Sequence, residues 1–264
     1  MNAIELSDVS VTFRTGHRAL ENLSLQVPPG TIFGFLGVNG AGKTTTIRAI
    51  AGLRRTDRGT IRLFGKEITP GDTEHLLSVG FVLDEAMYFD WMTPAEYWRF
   101  VSGMYRLEPS QARARVDELL DFLELVEKKD DPIATLSTGM RKKISLGAAL
   151  IHRPRLIVLD EPLEGIDALA ASSIKSALTQ AVRQGTTVFI TSHVLDTMER
   201  FCTDIAILHQ GAIALQCPTQ EITRIAIPSF PGRKFASLED LFLAIASPGR
   251  MGRSLGFLID EHPA

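Results

Sequence analysis

The stretch Gly37-Val38-Asn39-Gly40-Ala41-Gly42-Lys43-Thr44-Thr45 decides how this chain reads. An apolar, strand-like run from Thr31 to Leu36 leads into it, and a helix-like run from Thr44 to Leu53 leaves it, with Gly52 near its end. Strand, glycine-rich loop and helix in that order form a phosphate-binding loop. The glycines let main-chain N–H groups turn inward around an anion. Lys43 adds a point charge for the outer phosphates of a nucleotide, and Thr44 offers a hydroxyl to Mg²⁺. The helix that starts there aims the positive end of its dipole at the same anion.

The loop sits within an alternating pattern of strands and helices. Ile4 to Phe13 and Leu23 to Val27 alternate apolar and polar residues, and Pro28-Pro29-Gly30 closes the second run as a turn. With Gly59 to Phe64 these runs predict a small antiparallel sheet beside the nucleotide. Val79 to Leu83 reads as a buried strand. After it, both tryptophans and all three tyrosines of the chain fall between Tyr88 and Tyr105. Thr93-Pro94-Ala95-Glu96 is a capping box with proline at the first helical position. Helical spacing of Val116, Leu119, Leu120 and Leu123 predicts a second helix over 110–126, and a third opens near Ser137 and runs to about Ile151. Residues 85–152 therefore read as a helical insertion between two halves of an α/β core. The core resumes with Leu156 to Leu159, an apolar run suited to a central parallel strand. A helix over 168–184, a strand over 186–191 and a hairpin around His209-Gln210-Gly211 follow. Ser237 to Ile245 reads as a short amphipathic helix in a C-terminal extension, residues 218–264, beyond a main unit of residues 1–217.

Four further motifs narrow the chemistry. Asp160 and Glu161 end the buried run Leu156–Leu159, and two adjacent acids at such a place are costly to bury without a cation. Asp160 can hold Mg²⁺ through its water shell, and Glu161 can face an attacking water as general base. Leu136-Ser137-Thr138-Gly139-Met140 lies at a helix start, followed by Arg141, Lys142 and Lys143. Cations there oppose the helix dipole, a sign that an anion docked at Ser137 would reverse. His193 follows a core strand in reach of a terminal phosphate, and Glu164-Gly165-Ile166-Asp167 brings Asp167 back toward the acid pair.

This ordered set resembles the ATP-binding subunit of ATP-binding-cassette (ABC) transporters, over residues 4 to about 216. The resemblance implies a P-loop NTPase (RecA-like) α/β core with an antiparallel β subdomain and an inserted helical subdomain. It implies ATP and Mg²⁺ as ligands, with Gly37, Asn39, Gly40, Ala41, Gly42, Lys43, Thr44 and Thr45 around the phosphates. Phe13 would stack on adenine, where many relatives carry tyrosine. Asp160 would support Mg²⁺, Glu161 would be the catalytic base and His193 the γ-phosphate contact. Ser137 and Gly139 would contact the γ-phosphate bound to the opposite subunit, so that two subunits meet head to tail, and Asp167 would return toward the chain's own nucleotide. A membrane-spanning partner would dock on the region after residue 84. For Tyr88, Phe89, Trp91, Tyr97 and Trp98 two readings stand open, partner groove and helical core. The tail segment Ser237 to Phe242 is similar to one seen in exporter-type subunits, which gives the exporter lean.

Three departures accompany the resemblance. Val38 replaces a frequent proline, and Thr138 and Met140 replace Gly and Gln of the usual signature. Asp84 stands where the family has a glutamine that touches Mg²⁺ and the attacking water. Being anionic and acceptor-only, it either ligates Mg²⁺ or its water as a catalytic residue, or leaves the site and couples to the partner.

Bulk properties agree with this reading. Of 264 residues, 45% are hydrophobic and 22% charged, and the net charge of −3 gives no field to attract nucleic acid. The two cysteines, Cys202 and Cys217, have no metal spacing and read as reduced thiols. No apolar run approaches the roughly 18–20 residues that span a bilayer. A cytoplasmic subunit, peripheral on the membrane through its partner, is therefore expected. The competing readings are a soluble cassette ATPase acting on ribosomes or DNA, a small-molecule kinase, and a binding-only regulator. The kinase has no need of Leu136–Met140, and Glu161 with His193 speaks against the regulator.

Overall fold

Alternating side chains in the first third of the chain build an antiparallel sheet in the computed structural model, which describes residues 1–69, 73–83, 88–227 and 230–246. In β1 (Ile4–Thr12) the residues Ile4, Leu6, Val9 and Val11 are buried, and their neighbours face outward. β1 pairs with β2 (Arg18–Val27). Then β3 (Ile32–Leu36) and α1 (Lys43–Ile50) leave for a second layer. β4 (Arg58–Leu63) and β5 (Lys66–Glu67) return to complete the order β2-β1-β4-β5.

The second sheet is built from strands too apolar to show a solvent face. It contains β3 with β6 (Val79–Val82), and after three helices, α2 (Pro94–Met104), α3 (Pro109–Phe122) and α4 (Thr138–Leu150), it takes up β7 (Leu156–Leu159). There follow α5 (Ala168–Arg183), β8 (Thr187–Ser192), α6 (Leu195–Phe201), β9 (Asp204–His209) and β10 (Ala212–Pro218). The order is β10-β9-β3-β8-β7-β6, parallel except for the β9–β10 hairpin. Every residue of β3, β7 and β8 is buried, as expected of parallel strands covered on both faces.

Strand periodicity divides the core. Phe33, Phe35, Val158 and Phe189 face α1 and the antiparallel sheet. Leu36, Ile157, Leu159, Val188 and Ile190 face the other way, into one apolar cluster shared with α2–α5. That cluster also takes in Ile222, Ile227 and Phe235, and Leu238, Leu241 and Ala244 of α7 (Leu238–Ala246). The C-terminal segment, as far as it is described, is thus packed into the main core. Both cysteines are buried and free, and burial pushes their thiol pKa values up.

Strand β2 starts five residues before the expected Leu23, and two α-helices differ from the expectation. The helix over 110–126 stops at Phe122, because Glu124 adopts a left-handed backbone with φ of 58°. That break lets Leu123 and Leu125 both point inward. Helix α6 has no counterpart in the sequence reading. It is seven residues long with Met198 alone buried, so it carries no apolar stripe.

The helical layer is fastened at Trp98. Its indole N–H donates to the Ile144 carbonyl at 2.8 Å, and the ring lies against Gly147. A methyl at 147 would stand 2.2 Å from the Trp98 Cζ2 atom. Gly147→Ala is therefore expected to destabilise the fold by about 1–3 kcal/mol through overpacking, read as a lower denaturation midpoint. A second check uses His152, stacked on Tyr105 with centroids 3.6 Å apart. Burial pushes its pKa down to about 4, opposed by the Val79 main chain and aided by Arg115. The unfolded chain binds this proton first, so the stability is intact above the ordinary histidine value of 6.5 and is lost as pH falls toward 4. Melting temperatures across that window should fall less steeply in His152→Phe.

Candidate functional site

Register brings the functional residues to one edge. Leu36 pairs with Ser192 and Leu159 with Ile190, so β3, β7 and β8 end together. The loop after β3, the acids after β7 and the histidine after β8 therefore emerge side by side. This is the carboxyl edge of a parallel sheet, where such folds bind ligands. The resulting cleft has a volume of about 760 Å³. It is lined by Phe13, Gly37, Asn39, Gly40, Gly42, Lys43, Thr44, Thr45, Asp160, Glu161 and His193, all expected from sequence.

The loop is held from both sides. Gly42 has φ of +114°, and a side chain there would meet the Ala19 carbonyl of β2 at 2.6 Å. On the other side the Gly211 N–H of the β9–β10 turn donates to the Ala41 carbonyl at 3.1 Å. Ala41 is itself buried and supports the loop rather than lining the cleft. Lys43, 8% exposed, donates to the Gly37 carbonyl at 2.8 Å and stands 3.6 Å from Glu161 Oε1.

Asp160 is the best anchored of the acids. Its carboxylate is 3% exposed and accepts from Thr44 Oγ1 at 2.9 Å and from Thr191 Oγ1 at 2.7 Å. Thr191 in turn accepts from the Glu161 N–H at 3.0 Å. Glu161 has a left-handed backbone, φ 47°, rare for a residue with a side chain and a form of strain found at functional sites. Its Oε2 lies 3.0 Å from His193 Nδ1, so base candidate and phosphate-contact candidate touch directly. Phe13, 37% exposed, is flanked by His17, stacked at 6.2 Å, and by the Arg54 guanidinium 4.7 Å from its ring centre.

Three expected residues lie elsewhere. Ser137 caps α4, accepting from the Met140 N–H at 3.3 Å, and Gly139 is buried in the same turn. Asp167 caps α5, accepting from the Ala170 N–H at 2.8 Å, a bond that holds its pKa down. A carbon added at Gly139 would stand 3.5 Å from Asp167 Oδ2, so these residues form a second group outside the cleft. Asp84 lies outside the described residues.

The cations after Ser137 are not left facing the helix dipole alone. Arg141 donates to the Leu136 and Ala134 carbonyls at 3.1 and 2.6 Å. Lys142 donates to the Glu161 and Glu164 carbonyls, and Lys143 pairs with Glu124 at 2.9 Å. No docked anion is needed to account for them.

The aromatic stretch splits between its two readings. Trp98 is fully buried, and Tyr88 and Tyr97 are half-buried against the helical core. Phe89, Trp91 and Phe100 form an exposed cluster, with Phe89 centred 5.7 Å from Trp91 and 5.4 Å from Phe100. Sequence reading missed Thr191, although it ends the strand expected over 186–191. A hydroxyl inside a wholly buried strand was the available signal. It also missed four cleft residues: His17 and Ala19, which carry no motif, and Glu164 and Phe242, which lie in segments read for other roles.

Loop, sheet edge and acid pair together define a P-loop nucleoside triphosphatase. The model of the ABC transporter family matches residues 20–164. Over 225 residues the chain is 34% identical to the linearmycin resistance ATP-binding protein LnrL of Bacillus subtilis (strain 168), covering 85% of this chain and 72% of that one. It is 33% identical to the daunorubicin/doxorubicin resistance ATP-binding protein DrrA of Streptomyces peucetius, over 83% of this chain and 66% of that one. A solved ATP-binding subunit of an ABC transporter superposes with a TM-score of 0.84 at 28% identity, covering 92% of this chain and 99% of the other. The chain belongs to the ABC transporter family, as an ATP-binding and ATP-hydrolysing subunit.

Thr191 gives the site its sharpest check. Thr191→Val keeps the shape and leaves the Asp160 carboxylate and the Glu161 N–H each short of a partner. A loss of about 1–3 kcal/mol in stability and a clear fall in ATP turnover are expected, with Thr191→Ser restoring both. Denaturant titration and phosphate release measure them.

Proposed function

We propose that this subunit powers export of a substrate through a separate membrane-spanning partner, working on the cytoplasmic face as one half of a dimer. One observation carries the reading: Lys43, Asp160, Glu161 and His193 converge on a single cleft, while Ser137, Gly139 and Asp167 cluster outside it. Two subunits facing head to tail would bring the second group of each to the cleft of the other. Ser137 at the N-terminus of α4 would then meet the terminal phosphate bound opposite. The relatives named for drug resistance support the exporter lean, and the exposed Phe89, Trp91 and Phe100 suit a partner surface. Among the described residues no helix is long and apolar enough to cross a membrane.

In this reading residues 1–217 form the ATPase unit, with 85–152 as its helical part and 218–264 as an extension. Lys43 leaves the Gly37 carbonyl for the outer phosphates. Glu161 takes the proton of the attacking water, and its contact with His193 orients it while His193 Nε2 reaches the γ-phosphate. The oxygen donors Thr44 and Asp160, 2.9 Å apart, fit Mg²⁺, which prefers hard ligands and retained water. Bound there, Mg²⁺ would neutralise charge on the phosphates.

Glu161→Gln should bind ATP as the parent does and lose about 10²-fold or more in turnover, the scale of general-base catalysis. Lys43→Ala should lose tight binding itself. Equilibrium binding of a fluorescent ATP analogue beside phosphate release separates the two. Parent-like turnover in Glu161→Gln would remove Glu161 from its role.

A further inference from the structure

Tyr88 joins two regions that the nucleotide cleft does not connect. Its hydroxyl donates to the Arg141 carbonyl at 2.8 Å and lies 2.5 Å from Ser145 Oγ. A phenol has one proton, so with that proton on Arg141 the serine hydroxyl donates back to the tyrosine oxygen. Burial pushes the phenol pKa up, and the group keeps its proton through the physiological range. Residues 137, 141 and 145 follow one another at i, i+4 and i+8, along one stripe of α4. Tyr88 therefore grips the same stripe that begins with the Ser137 cap.

The other side of Tyr88 faces the surface. The next residue, Phe89, is the hub of the exposed aromatic cluster with Trp91 and Phe100. Tyr97 meets the Tyr88 ring edge-on at 6.0 Å and keeps it from swinging outward. A displacement of the Phe89 patch thus has a short side-chain route into α4 through Tyr88, beside the contact that Trp98 makes with Ile144 and Gly147.

We infer that Tyr88 is a positioning residue that fixes the first turns of α4, and with them Ser137 and Gly139, to the exposed aromatic patch. The inference rests on the composite-site reading above, in which Ser137 and Gly139 complete the site of a second subunit. Among the described residues the polar and ring partners of Tyr88 are Arg141, Ser145 and Tyr97, none of which lines the cleft, so its loss should act on turnover and leave nucleotide affinity alone.

Tyr88→Phe keeps the ring and removes the hydroxyl. In the full-length chain, hydrogen–deuterium exchange of the amides in 138–146 should rise about threefold or more, as a lost buried bond lowers local protection. Turnover at saturating ATP should fall about fivefold, while the Kd of a fluorescent ATP analogue stays within about twofold. Ser145→Ala removes the same link from the other side and should give the same pattern. The double variant should be no worse than the more affected single one. Tyr97→Phe, whose ring packing is kept, should change neither reading. Unchanged exchange in both Tyr88→Phe and Ser145→Ala overturns the link to α4 and leaves the composite site standing. Raised exchange with parent-like turnover overturns the inference at its base, because α4 would then have no part in the reaction. A Kd that weakens together with turnover overturns it as well. Should Tyr88→Phe fail to fold, Ser145→Ala carries the same three readings.

Discussion

The buried carboxylate of Asp160 constrains everything built around it. An ionised acid withdrawn from water to 3% exposure requires donors, and it has two, one from the phosphate loop and one from β8. Those two bonds tie three separate strand ends into one unit. Thr44 belongs to the first turn after β3, Asp160 follows β7 and Thr191 lies in β8. Because the strands are parallel and in register, each donor arrives at the right height without a distorted backbone. The strain is moved one residue on, to Glu161, whose left-handed backbone turns its side chain away from Asp160 and toward Lys43 and His193. Two neighbouring acids thereby acquire different surroundings, one buried and saturated with donors, the other open to the cleft.

The antiparallel sheet earns its place through the same site. Its strand β2 closes against Gly42, leaving no room for a side chain at that position. On the opposite side the β9–β10 turn bonds to Ala41. The loop is thus shaped by contacts from both sheets before any ligand arrives, and its N–H groups need little rearrangement to receive an anion.

How much was legible in the sequence follows from how local each feature is. The phosphate loop, the Thr93 capping box, the helix start at Ser137 and the strand before Asp160 depend on neighbours within a few residues, and each lies where its motif puts it. The strand order needs contacts across the whole chain, with β3 between β8 and β9, and no pattern in one strand encodes its neighbours. Helix α6 escaped because it has one buried residue and no stripe to detect. The partners of the cations after Ser137 were hidden for a related reason. The charge of these cations is visible in the sequence, but the carbonyls and the Glu124 carboxylate that receive them come from elsewhere in the chain. Thr191 was hidden by its chemistry, since a threonine within a strand ordinarily expresses only β propensity.

The aromatic segment shows why composition alone cannot divide core from interface. Trp98 and Trp91 have the same chemistry and stand seven residues apart, yet one is fully buried and the other 71% exposed. What separates them is the space available on α4. Gly147 leaves room for an indole that any Cβ would displace, and the Ile144 carbonyl accepts its N–H. Trp91 precedes the Thr93 cap and has no such seat, so it remains outside with Phe89 and Phe100. Tyr88 stands between these cases. Its ring is half inside, and its hydroxyl finds partners on the helix that Ser137 caps. One helix thus receives the indole that fastens the helical layer and the phenol that borders the exposed patch. A helix held at two points along its length is set in direction as well as position, and direction is what an N-terminal cap must have if it is to meet a phosphate across a subunit boundary.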